Sequence, residues 1–266
     1  MSEQGIWNLN GKTAIVCGGS QGIGLACAQA MADLGASLIL VARDADKLQA
    51  ATAQLSRDAG QTHRHLVADF ADVQLVQKGI ARLLGEHPTV HILVNNTGGP
   101  PAGSALDASL EQFRQAFNNH LLCNQVLVQA VVPVMRQLGY GRIINIISTS
   151  VKQPIPGLGV SNTIRAAVAN WAKTLASELG PYGITVNNVL PGMTETSRLQ
   201  SLITTKAAQA QRPVSEIEQT MKDEIPLRRF ATPAEIAAAV AFLASPAASY
   251  INGINLPVDG GRTQSL

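Results

Sequence analysis

Short stretches that are apolar from end to end recur along this 266-residue chain, and they restrict its fold more than any other feature. TAIVCG (Thr13–Gly18), ASLILVAR (Ala36–Arg43), VHILVNN (Val90–Asn96), RIINIIS (Arg142–Ser148) and ITVNNVLPG (Ile184–Gly192) lack the alternation of a strand with one wet face. Strands of this kind are covered on both sides, which points to a parallel sheet between two helix layers. HRHLVAD (His63–Asp69) reads as the third strand of the series and INLPVDGG (Ile254–Gly261) as the last, so about seven are expected. Helical spacing fills the intervals, as in Gly22–Gly35, which stops on a glycine, and around Val73–Leu84. No internal repeat or linker divides residues 1–266, which read as a single α/β domain with a doubly wound, Rossmann-type sheet.

With 46% hydrophobic and 14% charged residues, the chain can bury a large core and is not disordered. A formal net charge of +2 and the lack of any basic run argue against a nucleic-acid partner. No apolar run approaches the ~20 residues of a membrane span, and the N-terminus lacks a signal core. Cys17, Cys27 and Cys123 form no C-x-x-C pair, and His63 and His65 have no third ligand nearby, so no metal site is expected. The expected location is the cytoplasm.

CGGSQGIG (Cys17–Gly24) joins the first strand to the first helix. Gly18, Gly22 and Gly24 let backbone approach a ligand closely, and the helix amino end behind them favours a phosphate. At the end of the second strand, a dinucleotide site places an acid for a free ribose or a base for a ribose phosphate. Here the chain reads VARDAD. Arg43 suits a 2′-phosphate, which favours NADP(H) over NAD(H), although Asp44 and Asp46 stand close by. Thr194–Ile225, polar and helix-prone, leaves the carboxyl end of the sixth strand and is expected to form a lid, residues 194–225, over the site; a surface helical hairpin is the alternative.

CGGSQGIG, Asp69 in VADF, NNTG (Asn95–Gly98), the strand ending in Ser148, PGMTET (Pro191–Thr196) and the tail from Arg228 to Gly261 occur in one order. In these motifs the whole chain resembles the short-chain dehydrogenase/reductase superfamily, most closely its 3-oxoacyl-acyl-carrier-protein reductase-like members. The resemblance implies a cofactor site at Gly18, Ser20, Gln21, Gly22, Ile23 and Gly24, with Asp69 on the adenine and Asn95 supporting the central strand. It also implies that Gly98 lets the chain pass the cofactor, and that Thr194 and Thr196, with Pro191 and Gly192, lie beside the nicotinamide and phosphates. Assembly as a homo-oligomer, tetramer or dimer, follows by the same analogy.

Members of this family act through an asparagine, a serine, a tyrosine and a lysine. Ser148 matches the serine, but Ser161 stands in the tyrosine's place, Arg165 in the lysine's, and His120 in the asparagine's. A serine hydroxyl is a far weaker acid than tyrosine, and arginine stays protonated at working pH. His120 is the residue here whose ordinary pKa of ~6.5 suits proton transfer, unless it only bonds helix backbone. The expected activity is hydride transfer between NADP(H) and a small carbonyl or alcohol, with His120, Ser161 or a water passing the proton. Two other readings stay open: a protein that binds NADP(H) without turnover, and a different reaction on the same scaffold.

Overall fold

The computed structural model describes residues 3–265; Met1, Ser2 and Leu266 of the expected domain lie outside them. Seven parallel strands form one sheet: β1 (Thr13–Cys17), β2 (Ser37–Ala42), β3 (His63–Val67), β4 (Ile92–Asn95), β5 (Gly141–Ile146), β6 (Ile184–Pro191) and β7 (Asn255–Val258). Their spatial order is β3-β2-β1-β4-β5-β6-β7. The chain winds outward from β1 to β3, then returns to place β4 on the other side of β1. That reversal opens a crevice at the carboxyl ends of β1 and β4, where ligands of such sheets bind.

The helices are α1 (Gly22–Asp33), α2 (Ala45–Ala53), α3 (Val73–Glu86), α4 (Leu110–Phe117), α5 (Cys123–Leu138), α6 (Gly159–Leu179), α7 (Ser197–Ala210), α8 (Val214–Asp223) and α9 (Pro233–Ala244). Alternate residues of the strands serve opposite cores. Val16, Leu40, Val94 and Ile144 pack with Met31 of α1, Leu48 of α2 and Val240 of α9. Ile15, Ile39, Leu93 and Ile143 pack with Ile80 of α3, Leu127 of α5 and Ala172 of α6. Both faces are dry, as uninterrupted apolar strands require.

β3 departs from that rule. It is one of the two edge strands, and Arg64, His65 and Val67 are exposed. With water on one side, polar residues cost nothing there, and they also blunt the open edge. α4 and α5 run into one another through a π-helical turn, Asn118–Leu122. The resulting continuous stretch, Leu110–Leu138, is long and apolar enough by composition to cross a bilayer, although polar residues such as Arg114, Asn118 and Asn119 keep it from being an unbroken apolar run. Here Leu127, Val131 and Met135 spend that apolarity on the core beneath the sheet.

A polar seam crosses the dry interior. Asn95, Asn145, Asn188 and Asn255 lie in register on β4, β5, β6 and β7. Each amide donates to the next: Asn95 Nδ2 to Asn145 Oδ1 at 2.9 Å, Asn145 Nδ2 to Asn188 Oδ1 at 2.9 Å, and Asn188 Nδ2 to Asn255 Oδ1 at 2.8 Å. Burial of amides is tolerable because each is paired, save the Asn95 Oδ1 that heads the row.

Candidate functional site

A cleft of about 920 Å³ opens over the carboxyl ends of β1, β2, β4, β5 and β6. Its size matches a cofactor and a small substrate together. Of the residues singled out in the sequence, Gly18, Ser20, Gln21, Gly22, Ile23, Arg43, Asp69 and Gly98 line one part of it. Pro191, Gly192, Thr194, Thr196, Ser161 and Arg165 line the rest. Gly24, Asn95 and His120 do not line it, and Ser148, partly exposed, stands between Ile147 and Thr149, which do.

The turn before α1 is built for an anion. Gln21 stands at the N-cap position, and its side chain bonds none of the helix's first N–H groups. Those donors face the cleft beside Gly22 and Ile23 with the positive end of the helix dipole behind them. Gly24 serves the turn's own packing, since a Cβ there would overlap the Gly18 carbonyl oxygen. Gly98 is the opposite case. A Cβ at Gly98 meets nothing within 4 Å, so it would intrude only on whatever fills the cleft. Thr196, arriving from β6, sits over Gly22, with its Cγ2 3.5 Å from where a Gly22 Cβ would lie.

At the end of β2 the mixed signs resolve. Asp44 caps α2, accepting from Lys47 N at 3.1 Å, and its carboxylate also meets Lys47 Nζ at 3.4 Å. Those bonds hold its pKa below the ordinary carboxylate value, the backbone bond first. Arg43, exposed at the cleft rim, enters no ion pair among the described residues and is free for a phosphate. Asp69 lines the same end, its Oδ1 accepting from Ala71 N at 3.0 Å.

The other end holds the unusual residues. Ser161 and Arg165 lie one turn apart on α6, both nearly enclosed, at 7% and 8% exposure. Arg165 is tethered by Nη1, which donates to the Ile146 carbonyl of β5 at 3.0 Å, while its Nε is buried without a partner. Burial, and secondarily Arg198, lower its pKa to about 10, which still leaves it charged at neutral pH. Ser148 follows β5 between the cleft-lining Ile147 and Thr149, with its hydroxyl accepting from Ser150 N at 3.1 Å. Tyr140, Tyr182 and Tyr250 are all outside the cleft.

His120 sits in the π-helical turn, 2% exposed, with Nδ1 2.6 Å from the Thr97 hydroxyl. Burial first, then Arg165 and Arg198, press its pKa down to about 2. It is therefore a neutral imidazole at working pH, and it touches the cleft only through Thr97, which does line it. No group of three His, Cys, Asp or Glu suited to a metal occurs among the described residues.

Sequence reasoning passed over Arg198. It stands in the first turn of α7, where a cation opposes the helix dipole, and that misplacement was the available signal. Its Nη1 and Nη2 reach the Gly99 and Pro100 carbonyls at 2.6 and 2.9 Å, tying α7 to the loop after β4. The segment expected as a lid is the α7–α8 hairpin. Leu199, Ile203, Ile217, Met221, Ile225 and Phe230 give it a small core of its own. It leaves and rejoins the body where Glu195 N donates to Ala231 O at 2.8 Å and Ala231 N to Met193 O at 2.9 Å.

The family profile described as Enoyl-(Acyl carrier protein) reductase matches residues 18–263. A D-threitol dehydrogenase of Mycolicibacterium smegmatis is 35% identical over 257 residues, 97% of this chain and 95% of that one. A gluconate 5-dehydrogenase of Gluconobacter oxydans is 31% identical over 271 residues, covering 100% of both. Among solved structures, the L-sorbose reductase from Gluconobacter frateurii, complexed with NADPH and L-sorbose, superposes with a TM-score of 0.92. It shares 31% identity, across 98% of this chain and 100% of that one.

Proposed function

The chain belongs to the short-chain dehydrogenase/reductase superfamily and is an oxidoreductase of the NAD(P)-dependent kind; from that premise we propose that it prefers NADP(H) and interconverts a small carbonyl compound and its alcohol. The observation that carries the cofactor preference is the division of labour at the end of β2. Asp44 is consumed in capping α2, and Arg43 alone faces the cleft. A guanidinium there attracts the 2′-phosphate that an acid would repel.

When bound, NADP(H) supplies the hydride. The free N–H groups of α1 and Thr196 would hold its pyrophosphate, and Asp69 its adenine. Gly98 leaves room for it. Arg165, fixed to Ile146 O, would hold the nicotinamide-side ribose in place of a lysine. Ser148 would donate a hydrogen bond to the substrate carbonyl oxygen, polarising it.

The developing alkoxide needs a proton. Ser161 lines the cleft beside Arg165 and passes one as a relay, giving its hydroxyl proton to the substrate oxygen while recovering one from water. The α7–α8 hairpin closes over this region as a lid, latched by Arg198. Assembly as a tetramer or dimer and a cytoplasmic location complete the proposal; partly buried Trp171 and Leu175 on α6 and fully exposed Tyr250 offer contact surface.

Titrating the purified protein with NADPH and NADH, followed by nucleotide fluorescence, tests the preference. Tighter binding of NADPH is expected; equal or stronger binding of NADH removes it. A second reading, a binder without turnover, draws on the absence of a donor that titrates near neutrality. It gains if NADPH binds yet a carbonyl panel never oxidises it, before and after Ser161→Tyr with Arg165→Lys.

A further inference from the structure

Six charged side chains line the cleft, and five of them are cationic: Arg43, Arg165, Arg198, Lys206 and Arg262, against Asp69. For a chain with a net charge of +2, that is a local concentration. Arg43 and Asp69 stand at the adenosine end under the reading above. Arg262 is neutralised by Glu224, 2.7 Å away. Arg165, Arg198 and Lys206 remain, none of them ion-paired with a carboxylate among the described residues.

Such an arrangement is costly while empty. Arg165 is held inside the protein by a single bond to a carbonyl oxygen, and its Nε donor is enclosed with nothing to receive it. Arg198 is exposed at the roof and gives two donors to the Gly99 and Pro100 carbonyls. Arg165 is tied to the Ile146 carbonyl at the end of β5 and Arg198 to the Gly99 and Pro100 carbonyls just beyond the end of the neighbouring β4, so they face one region rather than two. Buried charges are retained where a counter-charge meets them. Under the reading above, the nicotinamide end of the cofactor would bring Arg165 only neutral ribose hydroxyls, because its phosphates would lie at α1 and Arg43. The anion has to arrive with the substrate.

We propose that the substrate is an oxo acid, with its hydroxy acid as the reduced form, whose carboxylate is received between Arg165 and Arg198 while its ketone meets Ser148 and Ser161. The proposal rests on the oxidoreductase reading and adds the substrate class to it. Planar guanidinium forks match a carboxylate's two oxygens. A phosphate is less suited, because the amino end of α7 is already capped by the Thr196 hydroxyl, which accepts from Leu199 N at 3.3 Å, and presents no open cradle. Reduction balances as hydride to the carbonyl carbon and a proton, relayed by Ser161 from water, to its oxygen. The carboxylate is unchanged.

The test uses NADPH-loaded protein and matched pairs: 2-, 3- and 4-oxo acids of three to eight carbons, each beside its methyl ester, with dihydroxyacetone phosphate for the phosphate alternative. NADPH absorbance reports turnover, and nucleotide fluorescence reports binding without it. At least one acid is expected to saturate at a tenfold lower concentration than its ester. Arg198→Gln should raise the KM for that acid at least tenfold and affect the ester far less, and Arg198→Lys should recover part of the loss. The proposal is overturned if no acid outdoes its ester, if Arg198→Gln weakens both alike as a mere latch would, or if the phosphate ester binds best. Failure of NADPH to bind sinks the cofactor reading instead; thermal shift of the cofactor-free protein by the same acids and esters then decides the carboxylate question on its own.

Discussion

The Arg43 side chain makes no hydrogen bond or ion pair among the described residues, so removing it should cost the fold almost nothing and the cofactor a great deal. Arg43→Ala is expected to weaken NADPH at least tenfold in a fluorescence titration, consistent with loss of a charge-assisted pair worth about 1.5–3 kcal/mol, while NADH is little changed. Ser161 makes a different kind of claim. As a relay it has no pKa near neutrality, Arg165 stays charged near about 10, and His120 is neutral above about 2. Reduction by this protein should therefore show a flat rate between pH 6 and 8, and Ser161→Ala should lower kcat by roughly 10–100-fold, below the ~10²–10⁴ of a tuned acid. A limb at pH 6–7 that vanishes in His120→Asn would show instead that the imidazolium is the donor. The identities of Ser161 and Arg165 were legible in the sequence. Their confinement was not, because Arg165 is enclosed by the end of β5, nineteen positions back along the chain.

Two glycines separate the work of the nucleotide turn from the work of its loop neighbour. Gly24→Ala places a methyl against the Gly18 carbonyl and within 2.8 Å of the Asn96 amide, so the turn itself has to shift. Gly98→Ala meets no protein atom within 4 Å. Thermal denaturation should therefore fall clearly for Gly24→Ala and stay near the parent for Gly98→Ala, while NADPH binding weakens in both. A Gly98 variant binding as well as the parent would move the cofactor off that loop. Elements of this kind were readable from sequence, since strand, glycine turn and helix are local patterns. That β3 lies at an edge was not readable, because edge position is a property of the sheet, not of HRHLV. The π-helical turn was equally hidden, for nothing in NNHLL distinguishes it from ordinary helix.

Stability of the whole molecule should depend on acidity through its buried imidazoles. His120 is lowered to about 2, chiefly by burial, and His91 to about 4, by burial and then Lys12. Both stay neutral in the folded state while the unfolded chain takes up protons below ~6.5, so stability is full above that pH and declines beneath it. The decline runs down to about 4 for His91 and about 2 for His120, and by pH 5 it amounts to about 1–2 kcal/mol for each. Urea denaturation at pH 7 and pH 5 checks it, and a His91→Gln variant with an undiminished loss would exclude that residue as a source. The asparagine row supplies a second global prediction. Asn145→Leu strands an amide donor on Asn95 and an acceptor on Asn188, and should cost about 2–4 kcal/mol in the same experiment.

That row also answers a problem posed by the strands themselves. Valine, isoleucine and leucine are nearly interchangeable neighbours, and a sheet made only of them could slide two residues along and still bury the same oil. Four amides that can be satisfied only when level with one another act as dowels through stacked boards, forbidding the slip between β4 and β7. The side of the sheet that carries Ser148 and the Pro191–Thr196 turn is thus aligned by polarity. The β1–β2–β3 side has no such row through it, and depends on its helices for alignment.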